Sequence, residues 1–318
     1  MTEMREPPAV TAASSAVVGG MGGSGIAGDV AAVVAESEGA RVTVHKGYGL
    51  PGWMGDELLV AVSHSGNTEE TLSAVDAAAS TGRPWAAVST GGALRDRAAA
   101  AGAPRVDVPF SPQPRAAFGY LAGGVLRILE SAGVIGPQSS ALAEAADVVE
   151  GLLAGPAHEA AAAIADRLSG RVTVVYGGSG LAGVAANRWK TQVNENGKAP
   201  AYWSTLPELD HNELVGWTAH PGLGRDAIGV VFLHDSGDHP RVKLRARLTR
   251  ELMTPAVALA GEVSSAGEGV LARLFSLTVV GDLVSVGLAE RAGVDPVPVA
   301  VIEDLKRRLA ASEGGTNP

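Results

Sequence analysis

Apolar residues recur along this chain in two patterns. Short runs of strand length come first: Ala16-Val17-Val18, Arg41-Val42-Thr43-Val44-His45, Leu58-Leu59-Val60-Ala61-Val62, Trp85-Ala86-Ala87-Val88-Ser89 and Arg105-Val106-Asp107-Val108, of which Leu58 to Val62 is apolar throughout. Runs of strand length without polar alternation are those of strands buried on both faces, as in parallel sheets covered by helices. Between them lie Ala- and Val-rich stretches of helical composition, one ending near Ala35 and one spanning residues 68–80. Strand and helix therefore alternate, which predicts an α/β class with a doubly wound parallel sheet. Residues 118–168 read as helical and Ala-rich, with breaks at 133–137 and at Gly155-Pro156.

The opening pattern then returns. Val174-Val175-Tyr176-Gly177-Gly178-Ser179-Gly180-Leu181-Ala182-Gly183 echoes Val17-Val18 through Gly22-Gly23-Ser24-Gly25-Ile26-Ala27-Gly28. Both read apolar strand, Gly-Gly-Ser-Gly, apolar, Ala-Gly, helix. A repeat at a domain-sized spacing implies two similar α/β domains related by internal duplication. The expected division is 1–136 and 137–318. Residues 227–233 and 255–260 are strands of the second copy, and 271–292 and 299–311 its closing helices. A length of 318 residues agrees with two domains, at roughly 150 residues each.

Composition narrows the chemistry. The chain has no Cys, which removes disulfides, thiolate metal sites and cysteine nucleophiles together. Its formal net charge is −9, and no basic stripe interrupts it, so a nucleic-acid partner is not expected. An anionic ligand must be held by local amides and a few cations, against the overall field. No apolar run approaches the ~20 residues that span a bilayer. The N-terminus lacks the basic-then-apolar order of a signal peptide. The expectation is a cytoplasmic protein without a membrane partner.

Two glycine loops, 20–25 and 178–183, satisfy the G-x-G-x-x-G spacing of dinucleotide sites. That reading calls for a carboxylate at the end of the second strand to hold the ribose. Here the strand ends His45-Lys46-Gly47, which weakens it, although a lysine suits a phosphorylated ribose. Tight strand-to-helix turns alone also explain the glycines. The segment Ser63-His64-Ser65-Gly66-Asn67-Thr68-Glu69-Glu70-Thr71 shifts the balance. It follows an apolar strand and opens a helix, so three hydroxyls, at Ser63, Ser65 and Thr68, meet free N–H groups at a helix N-terminus. Many neutral donors converging on one anion suit a phosphate monoester. A plain N-cap at Thr68 accounts for one hydroxyl, not for three around a glycine.

Gly22-Gly23-Ser24-Gly25 together with the Ser63–Thr71 segment resembles the sugar isomerase (SIS) domain, a phosphosugar-binding α/β fold. The second half narrows the resemblance. Asn194-Glu195-Asn196-Gly197-Lys198-Ala199-Pro200-Ala201, followed by Glu208-Leu209-Asp210-His211-Asn212-Glu213-Leu214, is similar to the bifunctional phosphoglucose/phosphomannose isomerase family. The motifs occur in the family's order over nearly the whole chain. The resemblance implies two SIS-type doubly wound domains per subunit, an active homodimer, and a sugar phosphate as substrate. It implies that Gly22, Gly23, Ser24, Ser63, Ser65 and Thr68 hold the phosphate. Arg115 would lie beside the reacting carbons and stabilise an enediolate. Glu195 would carry a proton between C1 and C2. His211, contributed by the partner subunit, would assist ring opening, with Lys306 serving the same step.

Those residue types fit the chemistry. Interconverting an aldose and a ketose phosphate requires an acid–base group at the ring oxygen, and histidine titrates near neutrality. A base must then remove a proton beside a carbonyl, and a fixed cation must face the resulting oxyanion. No metal or other cofactor is required. The histidines show no H-x-H or H-x-x-x-H pair, so a zinc-dependent route has no support in the sequence. Each residue also has an ordinary alternative. Glu195 reads otherwise as a helix-end acid, although a carboxylate there opposes the helix dipole; His211 reads as a surface turn residue, Arg115 as a loop cation, and Lys306-Arg307-Arg308 as partners for the last helix carbonyls. The tryptophans Trp53, Trp85, Trp189, Trp203 and Trp217 are expected in core or dimer packing.

Three departures from the family pattern stand out. The chain is short before its first strand. Asp210 stands where Asn is expected, and would favour a protonated His211. The loop His234-Asp235-Ser236-Gly237-Asp238 offers two acids where the first copy offers hydroxyls, so one phosphate site per subunit is expected. The rival functions are a phosphosugar-binding protein without catalysis and an NAD(P)-dependent dehydrogenase.

Overall fold

The computed structural model describes residues 8–219 and 221–312. Five parallel strands form the first sheet: β1 (Ser15–Gly19), β2 (Arg41–His45), β3 (Leu58–Ser63), β4 (Trp85–Ser89) and β5 (Arg105–Asp107), in the order β2-β1-β3-β4-β5. Its helices are α1 (Gly22–Ser37), α2 (Glu69–Ser80) and α3 (Gly92–Ala101). A short 3-10 turn, Pro114–Ala117, leads into α4 (Phe118–Ser131), and α5 (Ser139–Leu153) and α6 (Pro156–Leu168) follow. The second sheet is β7-β6-β8-β9, all parallel, from β6 (Val172–Gly178), β7 (Ala201–Leu206), β8 (Ile228–His234) and β9 (Ala258–Ser264). Its helices are α7 (Leu181–Glu195), α8 (Glu213–Ala219), α9 (Pro221–Ala227), α10 (Pro240–Met253), α11 (Val270–Ala292) and α12 (Ala300–Ser312). A second 3-10 turn, Glu208–His211, precedes α8.

The layers explain the unbroken apolar strands. One continuous apolar core lies between the two sheets. Val18, Val60 and Val88 enter it from the first sheet and Val175 and Val231 from the second, with α1, α4, α6, α7 and α11 between them. The outer face of the first sheet is covered by α2 and α3 through Leu59, Val75 and Leu94. The outer face of the second is covered by α10 through Phe232, Ala246 and Met253. Strands covered on both faces have no reason to alternate.

Several elements lie outside the apolar reading. β7 is an edge strand whose middle residues, Tyr202 and Trp203, are exposed, so it lacks the buried run that marks the other strands. α10 buries only Ala246, Thr249 and Met253, and its remaining positions mix charged residues with partly or fully exposed apolar ones. α3 buries only Leu94 and Ala98. β9 begins later than the apolar run at 255–260 suggests, because Ala256 and Val257 still pack in the turn after α10. The tryptophans divide. Trp85 and Trp189 are core residues, Trp217 donates to the Tyr176 hydroxyl, and Trp53 and Trp203 are exposed.

Helix α11 corrects one expectation. It is long and apolar enough by composition to cross a bilayer. Instead it packs against α5, α6 and α7, burying Leu274, Leu277, Val280 and Val284. At its closest approach to α7, Trp189 is fully buried and its indole N–H donates to Leu277 O at 2.8 Å. Gly281 makes this possible, because a Cβ there would lie 2.4 Å from the Trp189 ring. We expect Gly281→Ala to cost about 1–3 kcal/mol of stability through overpacking, despite alanine's better helix propensity. Urea unfolding followed by Trp fluorescence measures it.

Candidate active site

The sheet order creates a crevice before any side chain is considered. β1 is flanked by β2 on one side and β3 on the other, so the chain leaves β1 and β3 toward opposite faces. α1 enters the central layer and α2 the outer one. Ligands of open α/β sheets bind at such a switch point, outside the carboxyl ends of the strands. The glycine loop and the hydroxyl loop both lie there. Their backbones approach so closely that a Cβ on Gly20 would lie 2.9 Å from Val62 O. The His64 amide donates to Ser24 Oγ across the gap, at 3.3 Å.

The hydroxyls are arranged in depth. Ser63 is fully buried and its Oγ lies 2.8 Å from Thr68 Oγ1. Thr68 occupies the N-cap position of α2, but its side chain makes no cap bond; it turns to Ser63 instead. Its hydroxyl is therefore held, and the first amides of α2 have no side-chain cap. Ser65 is exposed, and its Oγ accepts from the Asn67 amide at 3.2 Å. Gly66 has φ +71°, and a Cβ on it would fall 1.8 Å from Gly91 O, so no other residue fits this turn.

Arg115 is the centre of the second part of the site. It is 6 % exposed, and all five of its N–H donors are engaged. Nε donates to Asn196 Oδ1. Nη1 donates to Gln113 Oε1 at 2.9 Å and to Glu195 Oε2 at 3.1 Å, and Nη2 to the carbonyls of Pro296 and Val297 at 2.7 and 2.8 Å. Glu195 ends α7 and Asn196 caps it, so the first half of the chain holds the second through one side chain. Lys198 joins the same cluster, donating to the carbonyls of Glu195, Pro296 and Pro298. Burial and the nearby Arg115 charge push the Lys198 amine below its ordinary range. From the other side Arg188, also on α7, donates to Arg115 O at 3.3 Å and to Asp282 Oδ2 at 2.6 Å, and stacks 3.9 Å above the Phe118 ring. Glu195, Arg115 and Asn196 are thus brought together.

Comparison with known proteins shows what the whole chain is similar to. A family model described as the bacterial phospho-glucose isomerase C-terminal SIS domain matches residues 157–309. A bifunctional phosphoglucose/phosphomannose isomerase of Caldicellulosiruptor bescii is 37 % identical over 302 residues, 92 % of this chain and 89 % of that protein. One from Aquifex aeolicus is 38 % identical over 293 residues, 91 % and 88 % of the two chains. The chain belongs to the bifunctional phosphoglucose/phosphomannose isomerase family. In fold it is similar to the tagatose-6-phosphate ketose/aldose isomerase of Escherichia coli, with a TM-score of 0.67, 16 % identity, and coverage of 90 % and 84 %.

Other sequence-predicted residues stand apart within one subunit. His211 is exposed on the turn before α8, and Lys306 is exposed on α12. Among the described residues neither bonds to the Arg115 cluster. Arg307 and Arg308 both pair with Asp304 rather than with terminal helix carbonyls. Asp210 does not turn to His211. Its carboxylate accepts from Thr249 Oγ1 at 2.6 Å and pairs with Arg245 at 2.8 Å, which pins the turn to α10. Lys46, the residue that suited a phosphorylated ribose, is paired with Asp29 of α1 at 2.6 Å. At the equivalent switch point of the second sheet, a Cβ on Gly178 would lie 2.5 Å from Asp238 Oδ1, so a carboxylate lies against that glycine loop. Asp235 there pairs with Arg273 at 2.9 Å.

Sequence reasoning missed Asn196 and the Pro296 and Val297 carbonyls as partners of Arg115, and Lys198 as a second cation on the same segment. The Asn-Glu-Asn-Gly-Lys string contained two of them, but nothing local connects it to Arg115 or to the proline-rich turn.

His64 supplies a pH prediction. Burial alone holds its imidazole below the ordinary value of 6.5. The unfolded chain therefore takes up that proton first as pH falls. The stabilisation is whole above about pH 6.5 and is lost as pH falls through the lower folded-state value. We expect the loss of unfolding free energy between pH 7.5 and pH 5 to be larger in the wild type than in His64→Gln. Equal slopes in urea titrations at the two pH values would assign the effect to other groups.

Proposed function

We propose that this protein is a metal-independent aldose–ketose isomerase that interconverts glucose 6-phosphate and mannose 6-phosphate with fructose 6-phosphate through a cis-enediolate. The observation that carries this reading is the placement of Glu195 against Arg115. A carboxylate held rigid by a cation whose charge faces the same space is what an enediol step needs. Membership of the isomerase family supports it.

In this reading the phosphate lies over the glycine loop of α1 and the free amides at the start of α2. Ser65 and Thr68 contact it, Ser24 joins from α1, Gly22 and Gly23 leave room for it, and Ser63 acts by fixing Thr68. Glu195 then moves the proton between C1 and C2. Arg115 acts through charge and by aiming Glu195, since its N–H groups are engaged. His211 and Lys306 open the ring, with His211 coming from the partner subunit of a homodimer. Their distance from the Arg115 cluster within one chain favours that source. We further propose that the two sheets descend from one duplicated SIS domain, divided near residues 136–137. The matching Gly-Gly-Ser-Gly turns and the matching 2-1-3-4 and 7-6-8-9 strand orders support this. The carboxylate of Asp238 leaves one phosphate site per subunit.

Fructose 6-phosphate formation from each aldose phosphate, followed with EDTA present, tests the activity. Glu195→Gln is expected to lower kcat on the order of 10²–10⁴-fold while phosphosugar binding persists. Ser65→Ala is expected to raise KM about tenfold with a smaller effect on kcat. Undiminished turnover by Glu195→Gln would remove it as the base. Binding of phosphosugar without turnover by the wild type would instead support a non-catalytic phosphosugar-binding protein.

The shared site has its own test. Mixing inactive Glu195→Gln and His211→Ala subunits leaves one intact site per mixed dimer if His211 acts across the interface. About a quarter of wild-type activity should then return after random exchange. No recovery, with exchange verified by mass spectrometry, would place His211 within its own subunit's site.

A further inference from the structure

The phosphate loop carries one side chain that the reaction described above does not use. His64 lies between Ser63 and Ser65, is 6 % exposed, and its ring reaches Ser111 in the 110–115 turn. Its Nε2 lies 3.0 Å from Ser111 Oγ. That hydroxyl in turn donates to Gln113 O at 2.8 Å. A serine has one hydroxyl hydrogen, so Nε2 is the donor in the first bond and His64 is the Nε2–H tautomer. Burial keeps the ring neutral at neutral pH, which leaves Nδ1 without a proton.

The bonds continue past Gln113. Its side-chain Oε1 accepts from Arg115 Nη1 at 2.9 Å, and the same Nη1 donates to Glu195 Oε2 at 3.1 Å. At the other end, the His64 carbonyl accepts from both the amide and the hydroxyl of Thr90, and its amide donates to Ser24 Oγ. His64 is therefore fixed on the phosphate side by three bonds and reaches the turn before Arg115 by a fourth. We infer that His64 is a positioning residue. Its Nε2–H···Ser111 bond sets the distance between the phosphate loop and the Arg115–Glu195 pair, so that anchoring the phosphate places C1 and C2 against the base. The inference rests on the isomerase reading. A substrate held at one end by its phosphate reacts at the other end, and misplacement by about 1 Å between the two is costly to rate.

The test separates this role from a simple one in shaping the loop. His64→Phe keeps the ring and removes the donor, Ser111→Ala removes the acceptor, and His64→Gln restores an N–H near Nε2. The inference expects the first two to lower kcat about 10- to 100-fold with KM nearly unchanged. The double variant should be no worse than either single one, and His64→Gln should recover most of the loss. Unchanged kcat with raised KM, or singles whose losses multiply, would overturn it. A second readout needs no turnover. In protein labelled with ¹⁵N-arginine, titration with inorganic phosphate should shift the Arg115 Nε–H signal in the wild type and not in Ser111→Ala. Equal shifts in both proteins, or none in either while phosphate binds, would also overturn it. Wild-type protein idle on both sugar phosphates would sink the isomerase reading alone, and the titration would then decide the role of His64.

Discussion

A buried arginine must have every donor engaged or lose several kcal/mol, and the site of this protein is arranged around meeting that condition for Arg115. Its partners come from three places: its own turn, the end of α7, and the segment between α11 and α12. None of these lies near another in sequence. Satisfying one guanidinium thus fixes the orientation of Glu195, seats the proline-rich segment, and holds the two sheets in one relation. Lys198 and Arg188 extend the same arrangement outward, the first through the shared Pro296 carbonyl and the second to the backbone of Arg115 itself.

The division between the proposed phosphate end and the proposed reacting end follows from the fold. The phosphate end is built from backbone: glycine turns, helix N-termini and hydroxyls at a switch point of the sheet. Backbone features of this kind recur in both sheets. The reacting end is built from long-range side-chain contacts and occurs once. The second switch point shows the difference. It keeps the glycine turn of the first, but Asp238 lies against it, and a fixed carboxylate there opposes any incoming anion.

This division also explains how much the sequence revealed. Strands β1, β3, β4, β6 and β8 were legible because both faces of each sheet are covered, so apolar residues run unbroken. The hydroxyl loop was legible because its chemistry is contiguous, from Ser63 to Thr68. β7 and α10 were not, since one is a half-exposed edge and the other contributes only three buried residues. The partners of Arg115 were hidden for a different reason. Hydrogen bonds spanning 80 to 182 residues leave no local periodicity or spacing to read. The partners of Asp210 were hidden on the same ground: its neighbours in sequence point to His211, while the fold pairs its carboxylate with Arg245 and Thr249.

The continuous core between the sheets, crossed by Arg115, limits how this protein can move. A hinge that opened the two halves would expose apolar surface from both sheets and strip a buried cation of four of its five bonds at once. The freer pieces lie at the surface beside Arg115: the segment from Pro296 to Pro298, whose carbonyls accept from Arg115 and Lys198, and the exposed helix beyond it. The interlocked body that carries Glu195 is thereby set apart from its loosely held margin.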